Sequence, residues 1–485
     1  MFYLLLAGVA LLILYSWLTM KPKNFPPGPP YYPIVGSAPN FPIKFLHLHM
    51  AEKWLSQYGP LVGLMLGAKK CVAVCGPKEV LEVLRREEFQ GRHQNVLIRD
   101  RAFDKKIGIL FSDGPLWTEQ RRFTLRHLRD FGFGKHTMEE AIVEEVEDLV
   151  TDIRKQKVVQ VSGLFAISTL NVLWNMMAGV RYARDDPELR KLLADLQHFL
   201  RGGGIGRIVN LFPVVRHYDP GFLGYRKAME GIWKMQDYMR ETIRNHESTL
   251  DENSARDLID VYLIEMRKQA DNPNSTFTEE GLIVICMDIF AAGAESVGSF
   301  LGFCLLYMVL HPRVQKEVQK ELDAVVGRDR RPGLQDRPQL HYVEAVLTEV
   351  SRMNPTSPLT PPHRCTKDTT MNGYNIPKDT ILFISLWSLF QDREHWGDPE
   401  QFRPERFLDA DGKFVRDEWM IPFGTGKRAC MGEVLARNSM FLIFTALLQE
   451  FWFTLPEEDP VPPTTAMHGV VATHHPFRLV ANKRQ

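Results

Sequence analysis

One stretch of the 485-residue chain constrains its fold more than any other: from Glu280 to Leu310 the side chains are apolar on nearly all sides. Read as a helix, the run lasts about eight turns, and a helix without a polar face has to be buried. Its length suits a membrane span, but Asp288 and Glu295 lie within it, and carboxylates are costly in lipid. The pattern therefore predicts a helix through the middle of a protein, carrying two acidic groups whose burial needs a reason. The rest of the chain reads as overwhelmingly helical. Short β-like runs occur at Leu61 to Leu66, Cys71 to Cys75 and Thr380 to Ser385. Arg267 to Thr276, with its Asn272-Pro273-Asn274, reads as a surface loop. The expected class is mainly α with small β-sheets (α+β), with one large helical domain from residue 36 to 485.

The N-terminus reads differently. Met1 to Met20 holds no charged side chain, which suits a helix crossing the hydrocarbon core. Tyr15 and Trp17 fall where interfacial aromatics belong, and Lys21 and Lys23 follow. A cleaved secretory signal is the other reading. It lacks support, because no basic region precedes the run and no small-residue cleavage site ends it. The lysines place the C-terminal side in the cytosol, so Asn274-Ser275-Thr276 would never be glycosylated. Residues 21 to 35, with Phe25-Pro26-Pro27-Gly28-Pro29-Pro30, read as a stiff extended hinge.

Lysine plus arginine and aspartate plus glutamate each number 59, so no global basic field exists to hold nucleic acid. The six cysteines are too few for a disulfide framework in so long a chain. Five of them read as buried small hydrophobes. Cys430 stands apart. It lies in Phe423-Gly424-Thr425-Gly426-Lys427-Arg428-Ala429-Cys430-Met431-Gly432-Glu433, where two glycines permit a tight path and helical periodicity resumes at Glu433. A thiolate there gains from a helix N-terminus and its free N–H groups.

This segment resembles the haem-binding signature of the cytochrome P450 family, Phe-x-x-Gly-x-Arg-x-Cys-x-Gly, at every fixed position. The resemblance implies a buried haem b (iron protoporphyrin IX) with Cys430 as its proximal ligand, Phe423 near the sulfur and Arg428 on a propionate. Glu349-Val350-Ser351-Arg352 resembles the family's Glu-x-x-Arg, and Pro404-Glu405-Arg406-Phe407 the segment whose arginine joins it. Alone, Glu349 and Arg352 at i and i+3 could be a solvated pair. With Arg406 they read as a buried structural triad. Trp117 and Arg121 resemble the pair that meets the propionates, and one turn apart both could reach one carboxylate. His363 is similar to a further propionate contact, and Arg92 is a second candidate for that role. Ala292-Gly293-Ala294-Glu295-Ser296 resembles the oxygen-activation motif, in which Glu295 and Ser296 would relay protons. The glycine there admits a ligand and a local distortion of the helix. Most relatives carry threonine at the Ser296 position.

By the same resemblance, the substrate pocket is lined by Ile107, Ile109, Leu110 and Phe111, by Ala291 and Ala292, by Leu359 and Thr360, and by Val470 and Val471. These are nearly all apolar, which points to a lipophilic small molecule: a steroid, terpenoid, fatty acid or xenobiotic. The chain has no dinucleotide fingerprint, so NADPH would act indirectly, through NADPH–cytochrome P450 reductase, with cytochrome b5 as a further donor. Arg121, Arg122, Arg126 and Arg129 on one helix would form the docking patch. The resemblance covers the whole chain and implies a monooxygenase of the endoplasmic reticulum membrane with a cytosolic catalytic domain. It is nearest to animal microsomal members of the drug- and steroid-metabolising clan, with an arthropod-like N-terminus. The weighed alternatives are a haem-thiolate isomerase or dehydratase needing no external electrons, and a non-catalytic haem sensor or carrier.

Overall fold

Helical periodicity is realised in the computed structural model, which describes Tyr3 and residues 20–42, 44–201, 207–211, 213–218 and 225–484. Its longer helices are α1 (Pro77–Arg85), α2 (Gly114–Asp130), α3 (His136–Arg154), α4 (Ala166–Ala178), α5 (Pro187–Arg201), α6 (Tyr225–Ser248), α7 (Leu258–Lys268), α8 (Glu279–Leu310), α9 (Pro312–Val325), α10 (His341–Met353) and α11 (Glu433–Glu450). The strands among the described residues are β1 (Leu61–Leu66), β2 (Lys69–Val74), β3 (Gly91–Arg92), β4 (Val158–Gln160), β5 (His363–Arg364), β6 (Thr369–Met371), β7 (Tyr374–Ile376), β8 (Ile381–Ile384), β9 (Phe451–Thr454) and β10 (Arg478–Lys483).

The expected central helix is α8. Thr278 caps it, its hydroxyl oxygen accepting the Gly281 N–H at 3.0 Å, and Glu279 and Glu280 occupy the first turn, where the helix dipole favours acids. It packs against α4, α6, α10 and α11, and most of its length is buried, as a helix without a polar face requires. The distortion expected at Gly293 is not found. The helix is α throughout, and an added Cβ on Gly293 would lie 2.4 Å from Leu173 Cδ2. The near neighbour there is the tip of the Leu173 side chain of α4, not main chain.

One five-stranded sheet carries the order β1-β2-β8-β5-β3. β2 pairs with β8 in parallel, Cys71 opposite Ile381, and β5 joins β8 antiparallel. β3 and β5 are only two residues long, and their antiparallel register sets Arg92 directly opposite His363. Opposed residues of an antiparallel pair share a face, so these two side chains are delivered to one place. β10 runs between β4 and β9, antiparallel to both, in a three-stranded sheet, and β6 and β7 form a hairpin.

The apolar run Met1 to Met20 lies outside the described residues apart from Tyr3 and Met20. The proline-rich segment after it is extended but does not stand off from the body. Phe25 is buried among Leu61, Val72 and Val74. Gly63 N–H donates to Pro27 O at 2.7 Å, and Asn375 N–H to Asn24 O at 2.8 Å. A phenylalanine flanking prolines supplies the apolar anchor that turns a spacer into a docked strap.

Candidate active site

The turn around Cys430 is built by its glycines. Gly424 and Gly426 have φ of 71° and 73°, and an added Cβ on Gly426 would lie 2.4 Å from Leu84 O. Only glycine can pass α1 there in that conformation. Cys430 N–H donates to Phe423 O at 2.9 Å, closing the turn, and Gly432 caps α11 just beyond. Cys430 is exposed, yet burial pushes its thiol above the usual range. The Gly432 N–H and Arg121 pull the other way, and Glu433 adds to the rise. The residue is thus accessible while the protein groups around it desolvate its thiol. Phe423, seven residues upstream, is half-buried and carries the Arg437 guanidinium 4.8 Å from its ring centre.

Three arginines and a histidine gather nearby. Arg121 Nη2 donates to Ala429 O at 2.6 Å. Arg428 donates through Nε to Gln90 O and through Nη2 to Ser112 O, both at 2.9 Å. Arg92 Nη1 donates to Pro361 O at 2.6 Å, while its Nε is buried with no hydrogen-bond partner. His363 Nδ1 lies 2.7 Å from Phe89 O, which makes Nδ1 the protonated nitrogen and leaves Nε2 as the acceptor of the neutral ring. Burial pushes Arg92 down to about 9, with Arg428 and Arg121 adding to the fall. Arg428 falls to about 10 by burial, against the pull of Asp113. Burial and then Arg92 hold His363 well below its usual range.

Asp113, which opposes these shifts, is already engaged: Oδ2 accepts Arg92 N–H at 2.9 Å and Arg364 Nη2 at 2.7 Å. Sequence reasoning missed Asp113 and Arg364, though an aspartate before Gly114-Pro115 is a recognisable helix-start signal. Mutually repelling buried cations, one with an orphaned donor, suit an anionic guest. The two propionates and the thiolate-binding iron of a haem fit this donor set. The Trp117 indole Nε1–H donates to Ile109 O at 3.1 Å, and its ring lies under Arg428, 3.7 Å from guanidinium carbon to ring centre.

Glu349, Arg352 and Arg406 do come together, the first two fully buried and the Arg406 side chain nearly so. Arg352 Nε is 2.7 Å from Glu349 Oε2, and Arg406 Nε is 3.0 Å from Oε1, which also accepts Arg403 N–H at 2.9 Å. The two guanidinium groups spend further donors on Phe390 O, Pro399 O and Trp396 O. Shared in this way, the carboxylate has its lone pairs satisfied, the condition under which a buried charge is tolerated.

Midway along buried α8, Ala292 is exposed and Ala291 and Ser296 are half-exposed. A hollow therefore reaches the helix at the segment singled out in the sequence. Glu295 is buried at 7% exposure, and Ser296 Oγ donates to Ala292 O at 2.8 Å. Ile109 is buried, while Ile107, Leu110 and Phe111 are half-buried in the loop before α2. Leu359 bridges to Ser385, and Thr360 Oγ1 is buried without a partner. Val471 is half-buried, but Val470 is 60% exposed at the tip of the turn bridged by Met467 and Thr473.

Comparison with known proteins agrees with this arrangement. The profile described as Cytochrome P450 matches residues 26–481. Farnesoate epoxidase of Bombyx mori is 37% identical over 470 residues, covering 95% of this chain and 94% of that protein. Cytochrome P450 2J1 of Oryctolagus cuniculus is 36% identical, covering 94% of this chain and 91% of that one, and cytochrome P450 2U1 of Rattus norvegicus is 34% identical, covering 99% and 95%. With the cysteine turn, the cationic cradle and the central helix in place, and with matches of this length, the chain belongs to the cytochrome P450 family and is a haem monooxygenase of that family.

Proposed function

We propose that Cys430 binds the haem iron, that Arg92, Arg121, Arg428 and His363 hold the propionates, and that a lipophilic small molecule is oxidised against α8. The observation that carries this reading is the accessible, desolvated Cys430 beside cations that lack an anion. When bound, a thiolate-ligated haem activates O2 and favours cleavage of its O–O bond. This chain's residues do the rest. Ile107, Ile109, Leu110, Phe111, Ala291, Ala292, Leu359, Thr360 and Val471 form an apolar wall that orients substrate and excludes water. Val470 contributes only from the rim. Glu295 stores a proton, and the Ser296 hydroxyl passes it on by rotating away from Ala292 O.

Electrons come from NADPH through a reductase. Supporting this is a surface groove of about 560 Å³ whose lining includes Arg121, Arg122, Arg126, Arg129 and Lys427 against the single carboxylate of Asp130, a mainly cationic landing site for an acidic partner. The chain works at the endoplasmic reticulum membrane, anchored by Met1 to Met20, with residues 36–485 in the cytosol. The name of the silkworm relative keeps terpenoid acids within the substrate class.

Cys430→Ala tests the centre of the proposal. The variant should lose the thiolate-type Soret band of the reduced, CO-bound protein and all product formation with reductase and NADPH. A band retained in that variant would overturn the assignment of Cys430.

A further inference from the structure

Where α6 hands over to α7, an exposed hydroxyl is followed by an acidic sequence, Ser248-Thr249-Leu250-Asp251-Glu252. Thr249 and residues 251–254 are exposed. Thr249 Oγ1 donates to Asn245 O, a carbonyl of the last turn of α6, at 3.0 Å. The same oxygen accepts Arg256 Nη1 at 2.9 Å. Arg256 is also committed inward, its Nε and Nη2 donating to the two oxygens of Asp260 at 2.6 and 2.8 Å. The Arg256 side chain is 45% exposed and that of Asp260 0%. Asp257, itself buried, takes His246 on one oxygen and caps α7 with the other. One half-exposed guanidinium thus links a surface hydroxyl to a carboxylate that has no access to water.

We propose that Thr249 is a phosphorylation site for an acidophilic serine/threonine kinase, and that its phosphate competes with Asp260 for Arg256 and loosens the joint of α6 and α7. A kinase of this class presents a basic groove to the chain after the acceptor, and Asp251 and Glu252 stand two and three residues after Thr249. The phosphoryl donor is ATP. The bond from its γ-phosphorus to the bridging oxygen breaks, the bond to Thr249 Oγ1 forms, and ADP leaves with the electron pair. The hydroxyl proton passes to the kinase's base. The product carries about two negative charges near neutral pH. Asn245 O loses its donor, and the new charge sits at the C-terminal end of α6, where the dipole favours cations. The cation in contact is Arg256. A phosphate takes a guanidinium bidentately, which calls for Nη2 as well as Nη1, and Nη2 is the donor that Asp260 Oδ1 uses. Asp260 is then short of partners inside the fold, which is costly for a carboxylate. α7 packs on α2, α4 and α6, so the loss is felt by three helices.

The site is tested on the haem-loaded full chain with a purified acidophilic kinase and ATP. The wild type should take one phosphoryl group per chain, read by intact mass and mapped to Thr249 by fragment masses. Ser248→Ala should take the same group, and Thr249→Val, which keeps the shape without the hydroxyl, should take none. No incorporation in the wild type, or a group mapped to another residue, overturns the site.

The competition is tested by urea unfolding of the same samples. Phosphorylated wild type should have a lower midpoint than untreated protein, and kinase-treated Thr249→Val should show no shift. Arg256→Gln lowers the midpoint by itself, and phosphorylation should then lower it clearly less than in the wild type, because no guanidinium is left to compete for. An equal drop in both backgrounds, or none in the wild type, overturns the role of Arg256. Should Arg256→Gln not fold, amide hydrogen exchange in the wild type decides. The first turn of α7 should exchange several-fold faster after phosphorylation, and unchanged exchange there overturns the competition.

Discussion

Gly424 and Gly426 share a left-handed backbone, yet they differ in what surrounds them, and substitution should show it. Nothing lies within 4 Å of a Cβ placed on Gly424, whereas one on Gly426 meets Leu84 O at 2.4 Å. Gly424→Ala should cost about 1 kcal/mol of backbone strain. Gly426→Ala adds a collision with main chain that cannot swing away, and should lower haem content per protein severalfold more, measured as Soret absorbance against protein absorbance. Ser296 follows buried Glu295 directly on α8. Its hydroxyl donates to Ala292 O but can still accept and pass a proton. Ser296→Ala should therefore bind substrate and consume NADPH while product per NADPH falls and hydrogen peroxide rises. Ser296→Thr, with a stiffer hydroxyl, should match or improve coupling. Equal coupling in the alanine variant would remove the relay role and leave Glu295 with ordered water. Cys430 was legible from its local motif alone, because a turn and a helix start are written in adjacent residues. The Trp117 N–H was not, because its partner Ile109 O belongs to a loop whose path no periodicity encodes.

Elements differ in legibility for a physical reason. α8 could be read because it is apolar all round over many turns, and β1 and β8 because they are continuous apolar runs. β3 and β5 could not: two residues carry no period, and their register, which sets Arg92 against His363, exists only once the chain is folded. The junction of α6 and α7 was equally invisible and should make stability depend on pH. Burial alone would lower the pKa of His246, but its bond to Asp257 at 2.9 Å and the Thr242 carbonyl outweigh burial and raise it. Asp257 also caps α7, and Arg256 and Asp260 pair beside it. A histidine pKa raised on folding gives stability that is full below its unfolded value near 6.5, and this is lost as pH climbs through the higher folded value. His246→Gln should thus cost about 3 kcal/mol at pH 5.5 and clearly less at pH 9, read as urea midpoints. A cost independent of pH would mean that the neutral ring, and not the ion pair, holds the junction.

At the scale of the molecule, a formal net charge of zero hides a separation of sign. Exposed Arg122, Arg126 and Arg129 line one groove together with Arg121 and Lys427. Reversing Arg126 and Arg129 to glutamate should raise the apparent KM for reductase several-fold and flatten its salt dependence, because rim charges act mainly on encounter. Turnover supported by peroxide should be spared, and an equal loss by both routes would make those arginines structural. Arg92, Arg121 and Arg428 press like charges together beside neutral His363, where the backbone is pinned by strands of only two residues. An anionic guest among them would relieve that repulsion. Bound tetrapyrrole should therefore stabilise the whole chain, read as a higher thermal midpoint of the loaded protein than of the unloaded one.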